Sequence, residues 1–198
     1  MATPAKRNHL TYLFEASPFF KAAFTSDFRE NPERTMTLPE DDETIFELFV
    51  DWLYHQRYDV PSTPNDPETP CDRFMQPVQL FVLADKYGVR NLKNVIVSQI
   101  HSVVKMSSDV PKEATIAYAY EHTSQNSTIR KVLADMMACY VGRNWFERAV
   151  NQTWLRDHHD ISMDVMVRLA ERAEDAYGGP FYRGVPEEYV EEEEESEE

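Results

Sequence analysis

The segment Glu43-Thr44-Ile45-Phe46-Glu47-Leu48-Phe49-Val50-Asp51-Trp52-Leu53-Tyr54 most limits what this chain can fold into. Its charged residues Glu43, Glu47 and Asp51 recur every four positions, which predicts a helix with a single polar stripe. Ile45, Phe46, Leu48, Phe49, Val50, Trp52, Leu53 and Tyr54 leave most of the remaining circumference apolar. A helix of that kind is central to a core, because other elements must cover it on several sides. Glu40, Asp41 and Asp42 place carboxylates just ahead of it, where unpaired N–H groups and the helix dipole favour them. The chain is therefore expected to be mainly α and built around this helix.

The flanking segments supply the covering elements. His9 to Phe24 reads as a helix bent or briefly broken at Pro18, since an interior proline removes a hydrogen bond. Phe20 and Phe24 lie four apart and share a face, with Leu10, Leu13 and Phe14 continuing it. Thr25, Ser26 and Asp27 favour turns and caps. That leaves Phe28 and Glu30 as an apolar-plus-acid pair on a short exposed connection, which has the form of a docking surface. Thr35 to Leu38 alternates polar and apolar residues, as a short half-buried strand does. Residues 55–73 hold Pro61, Pro64, Pro67 and Pro70 and read as an irregular loop. A helix is expected from about Pro77 to Tyr87, stopped by Gly88, and another follows Asn91 with Leu92, Val95, Ile96, Ile100 and Val103 at helical spacing.

Pro111 marks a boundary, with no further proline until Pro180. Four helices are expected between them: a short one at Ala114 to Tyr118, a long one over Ile129 to Tyr140 stopped by Gly142, one over Trp145 to Trp154, and one over Met163 to Ala173. Short connections imply antiparallel packing. This divides the chain into residues 1–105, a helical part 111–180, and a terminal segment 181–198 too acidic to bury surface, expected to be disordered.

Composition narrows the function classes. The formal net charge is −15, and nine of those charges are glutamates between Glu187 and Glu198, leaving −6 for the rest. A negative chain is a poor match for phosphate backbones or anionic membrane surfaces, so neither nucleic acid nor membrane is expected as a partner. Cys71 and Cys139 lie far apart with no CxxC spacing, which fits a reducing compartment, and no apolar run has the length of a signal peptide or a membrane span. A cytoplasmic or nuclear protein is expected.

The sequence shows no reaction centre. His158 and His159, between Asp157 and Asp160, form the one His/carboxylate cluster, but adjacent helical residues point about 100° apart and do not converge on one metal. There is no Gly-rich phosphate loop and no nucleophile motif. No catalytic residue, cofactor site or metal site is assigned. Asn126-Ser127-Thr128 and Asn151-Gln152-Thr153 match the glycosylation pattern, but no secretion signal accompanies them. Met136 and Met137 read as core filler.

Four fragments in one order carry a family resemblance. His9, Leu13, Ser17-Pro18-Phe19-Phe20 and Phe24 resemble the H-x-x-x-L-x-x-x-S-P-x-F-x-x-x-F helix of BTB/POZ domains. Thr35 to Leu38 stands where that fold has its third core strand. Ile45-Phe46 to Trp52-Leu53-Tyr54 is similar to its following helix, and Leu83-Ala84-Asp85-Lys86-Tyr87-Gly88-Val89 to its closing element. Residues after 111 resemble the helical extensions of filamentous-fungal BTB proteins. The resemblance implies a mainly α member of an α+β family, shortened at its N-terminus, with one remaining core strand and a helical extension. It also implies a non-enzymatic protein-interaction module. In the subset that serves as cullin-3 ubiquitin-ligase adaptors, an apolar-x-Glu motif after the S-P-x-F helix contacts the cullin, and Phe28-Arg29-Glu30 occupies that position. The family's opening β-hairpin and much of its dimer surface have no counterpart before His9, which leaves homodimerisation open. The competing implications are a chromatin-associated BTB protein whose acidic tail binds basic partners, and a fragment without stable function.

Overall fold

The computed structural model describes residues 9–25, 36–61, 72–107 and 109–177. The Glu43–His55 segment, α3 here, forms the expected central helix. Asp42 caps it, its Oδ1 accepting from the Ile45 N–H at 3.1 Å, and Ile45, Phe49, Trp52 and Leu53 are buried. Glu43, Glu47 and Asp51 are exposed along the predicted stripe. At the far end Gln56 adopts a left-handed conformation (φ 52°), and its N–H returns to the Trp52 carbonyl at 2.7 Å.

Ahead of it lie α1 (His9–Ala16) and α2 (Pro18–Thr25), separated at Ser17. Pro18 sets that break as anticipated, yet the turn stays tight. The Ser17 N–H donates to Leu13 C=O (3.0 Å) and the Lys21 N–H to Ser17 C=O (3.1 Å). Behind α3 comes α4 (Met75–Lys86), which begins two residues earlier than Pro77 because Asp72 Oδ1 accepts from the Phe74 N–H at 3.0 Å. Pro77 then sits in the first turn, where its missing N–H costs nothing. Gly88 takes φ +69°, and the Val89 N–H reaches back to the Ala84 carbonyl at 2.8 Å, closing the helix end. The chain turns directly into α5 (Arg90–Ser107), which buries Leu92, Ile96, Ile100 and Val104 at every fourth position.

The remaining helices are α6 (Glu113–His122), α7 (Thr128–Tyr140), α8 (Arg143–Phe146), α9 (Ala149–Asp157) and α10 (His159–Tyr177). Helix α6 packs on α4 and α7, α5 also packs on α7, and α10 lies along α7. One apolar core therefore runs from Phe20 through α3, α4 and α5 to Met136, Met137, Ile161 and Val165. No helix among the described residues is long and apolar enough to cross a membrane.

Two expectations are corrected. The single helix over Trp145 to Trp154 is two, α8 and α9, because Arg148 is extended (φ −72°, ψ 128°). Side chains compensate the break: Asn151 Nδ2 donates to Trp145 C=O at 2.7 Å and Gln152 Nε2 to Phe146 C=O at 3.1 Å. Asn151 is thereby buried, so its acceptor pattern is not an accessible one. The core strand expected at Thr35 to Leu38 does not form: Met36, Thr37 and Leu38 carry no strand structure, and none occurs among the described residues. A lone extended segment has no ladder partner, so alternation alone cannot make it a strand. Met36 and Leu38 still turn their side chains onto the core.

Candidate partner-docking site

The sequence singles out the α1–Ser17–α2 unit and the connection after it. Ser17 is fully buried, and its Oγ donates to the Tyr87 carbonyl at 2.6 Å while accepting from the Phe20 N–H at 3.3 Å. One hydroxyl thus pins the helix break to the end of α4. Phe20 is 2% exposed and lies against Tyr87 (ring centroids 4.7 Å apart) and stacked on Phe49 (6.1 Å, 18° between planes). Phe19, at 45% exposed, covers the outer side of Tyr87 at 5.0 Å, while Phe24 packs at 6.1 Å from Phe14. Helix α2 ends with Thr25 Oγ1 donating to Lys21 C=O at 2.6 Å. Phe28, Arg29 and Glu30 lie outside the described residues.

Both ends of the undescribed stretch 26–35 meet at one groove. Phe24 lines it on one side and Met36 and Leu38 on another, with Leu13, Phe20 and Phe46 making up the rest of its apolar surface. The groove holds about 490 Å³, and Asp41, Glu43 and Glu47 give it an acidic margin. It is an apolar trough beside the ends of a short connection, a shape that suits a side chain or helix from a partner.

A second cleft of about 460 Å³ lies among α3, α4 and α6, with Glu40, Asp41, Asp42 and Asp85 facing Lys86, Tyr118 and His122. Its charge is partly satisfied internally. Asp41 receives the Lys86 ammonium at 2.9 Å and the Tyr87 hydroxyl. Burial first, then that hydrogen bond and the charges of Asp41 and Glu40, push the Tyr87 hydroxyl well above the usual tyrosine range. Burial and the charges of Asp42 and Glu121 raise Tyr118 in the same direction. The histidine pair borders a third cleft of about 440 Å³ with Tyr120, Glu121, Asp157 and Asp160. His158 stacks on Trp154 (4.7 Å), and its Nδ1 donates to the Trp154 carbonyl at 2.7 Å, so it serves the junction between α9 and α10. Among the described residues no three His, Cys, Asp or Glu side chains converge as metal ligands would.

One buried charge was not legible in the sequence. Arg130, 6% exposed, turns its guanidinium onto the C-terminal end of α6, donating to the carbonyls of Tyr120 and Thr123 and, through Nε, to Thr123 Oγ1 at 3.2 Å. It also lies 4.7 Å from the Tyr120 ring centroid, and Tyr120 Oη donates to Asp164 at 2.8 Å. A cation there meets the negative end of the helix dipole, so its role is architectural.

A protein-family model, that of the BTB/POZ domain, matches residues 7–102. No curated protein and no solved structure matches the chain.

Proposed function

We propose that this chain is a non-enzymatic adaptor that docks on a cullin-3-type scaffold through Phe28 and Glu30; the match of residues 7–102 to the BTB/POZ domain, a protein–protein interaction module, supports this reading. Arg29 is the spacer between Phe28 and Glu30. The observation that carries the reading is the fixing of α2. Ser17, Phe20 and Phe24 clamp that helix to Tyr87, Phe49 and Phe14, so the connection carrying Phe28 leaves from a rigid stem only three residues after Thr25. A rigid stem lowers the ordering cost of docking a short motif. The groove between Phe24 and Met36 offers an apolar seat beside it. The adaptor acts in the cytoplasm or nucleus.

The test is co-purification of full-length chain with cullin-3. Phe28→Ala combined with Glu30→Ala is expected to lower recovery at least tenfold while leaving the far-ultraviolet circular dichroism unchanged. Equal recovery of the double variant would remove Phe28 and Glu30 from the contact.

A further inference from the structure

Helix α10 is apolar on two opposite sides. Ile161 and Val165 are buried, at 1% and 2% exposure, against the core. On the outer side Met163, Met166, Val167 and Leu169 are 44%, 53%, 50% and 40% exposed. Met163, Met166, Val167 and Ala170 fall at i, i+3, i+4 and i+7, the spacing of a continuous stripe, and Leu169 adjoins Met166 one turn on. Exposed apolar residues scattered singly need no explanation, whereas several in one contiguous run on one helix mark an interaction surface. Two are methionines, whose flexible side chains mould to a partner.

Charge indicates what would cover the stripe. The nineteen residues of α10 include five carboxylates and two arginines. Both arginines are taken up on the α7 side: Arg168 Nε lies 3.1 Å from Asp135, and Arg172 donates to the Ala138 carbonyl at 2.7 Å. Beside the stripe stand Asp160, three residues before Met163 and also bordering the Tyr120 cleft, and Glu171, four after Val167, which shares the Arg168 guanidinium at 2.6 Å. Nine further glutamates follow between Glu187 and Glu198. A second copy of the chain would bring the same negative border against this one, so like charge disfavours self-pairing.

We propose that the Met163–Ala170 stripe of α10 is a docking surface for an amphipathic helix with a lysine- or arginine-rich margin. Its apolar face would lie along Met163, Met166 and Val167 and its basic margin along Asp160 and Glu171, the helix-on-apolar-face mode of recognition. This proposal stands or falls independently of the Phe28–Glu30 contact.

The test titrates the full-length protein into a fluorescein-labelled 18-residue peptide of leucine and lysine in amphipathic helical order, read by fluorescence anisotropy. Saturable one-to-one binding is expected, weakened at least tenfold by Met166→Asp with Val167→Asp and at least threefold by Asp160→Asn with Glu171→Gln. The milder pair Met166→Ser and Val167→Ser, checked by circular dichroism, separates loss of the face from loss of folding. Equal affinity of these stripe variants, or equal binding of a composition-matched peptide without helical order, would overturn the proposal. So would a concentration-dependent dimer in sedimentation that the Met166→Asp, Val167→Asp variant abolishes, because it would identify the occupant as a second copy.

Discussion

At the scale of single residues, Ser17 carries more of the N-terminal architecture than its size suggests. Its hydroxyl is both donor and acceptor in a site with no exposure, and the Tyr87 carbonyl depends on it. Ser17→Ala removes the donor and leaves that carbonyl buried and unpaired, at a cost of about 1–3 kcal/mol. Urea denaturation is expected to show that loss as a lower midpoint with an unchanged slope, since the surface exposed on unfolding stays the same. The serine was legible in sequence as part of the Ser17-Pro18-Phe19-Phe20 run, but its partner was not. Nothing local ties position 17 to position 87; only the folded packing of α2 against α4 does.

Among the helices, the periodic ones were readable and the interrupted ones were not. The stripe of α3, the four-residue spacing of α5 and the glycine after α4 each follow from local chemistry, so their positions came out within a few residues. The α8–α9 break depends on Asn151 and Gln152 reaching back to Trp145 and Phe146, which no periodicity records. Met36 to Leu38 carry no strand, and no partner strand occurs among the described residues, again a non-local fact. The candidate contact at Phe28 and Glu30 rests only on its sequence position after α2, because an apolar residue two before a glutamate is common in any chain, and it lies outside the described residues. Arg130 belongs to this scale too, since it holds the end of α6 from within α7. Arg130→Lys keeps the charge but loses the planar fork that spans Tyr120 and Thr123 carbonyls, with an expected destabilisation of about 1.5–3 kcal/mol. Chemical denaturation of the variant beside wild type measures it; a change below about 0.5 kcal/mol, the range of ordinary surface substitutions, would show that the fork is dispensable.

For the whole molecule, one core joins the helices on both sides of Pro111, from Phe20 to Val165. Tyr58, Tyr87 and Tyr120 sit along it, each with a hydroxyl raised above the ordinary tyrosine range by burial first; Asp41 adds to the shift at Tyr87 and Asp164 at Tyr120. The unfolded chain loses these protons near pH 10, whereas the folded one retains them to higher pH. Their contribution to stability is therefore fully present below about pH 10 and is lost as pH rises beyond it. Because the tyrosines share a core, alkaline unfolding is expected as one cooperative transition, with tyrosinate absorbance and circular dichroism coinciding. Two separated transitions would mean that the parts before and after Pro111 fold as independent units. Tyr87→Phe is expected to flatten part of the alkaline loss.

The clasp between Ser17 and Tyr87 also has a consequence in time. Its two halves are separated by 70 positions of sequence. During synthesis at roughly 5–20 residues per second, α1 and α2 wait about 4–14 s before their anchor has even been made. Through that interval Phe20 lacks the Tyr87 ring that covers it in the finished fold. The seat of α1 and α2 is complete only once residue 87 has been made, and a nascent chain stalled before that point would expose the Phe20 ring that the finished protein buries.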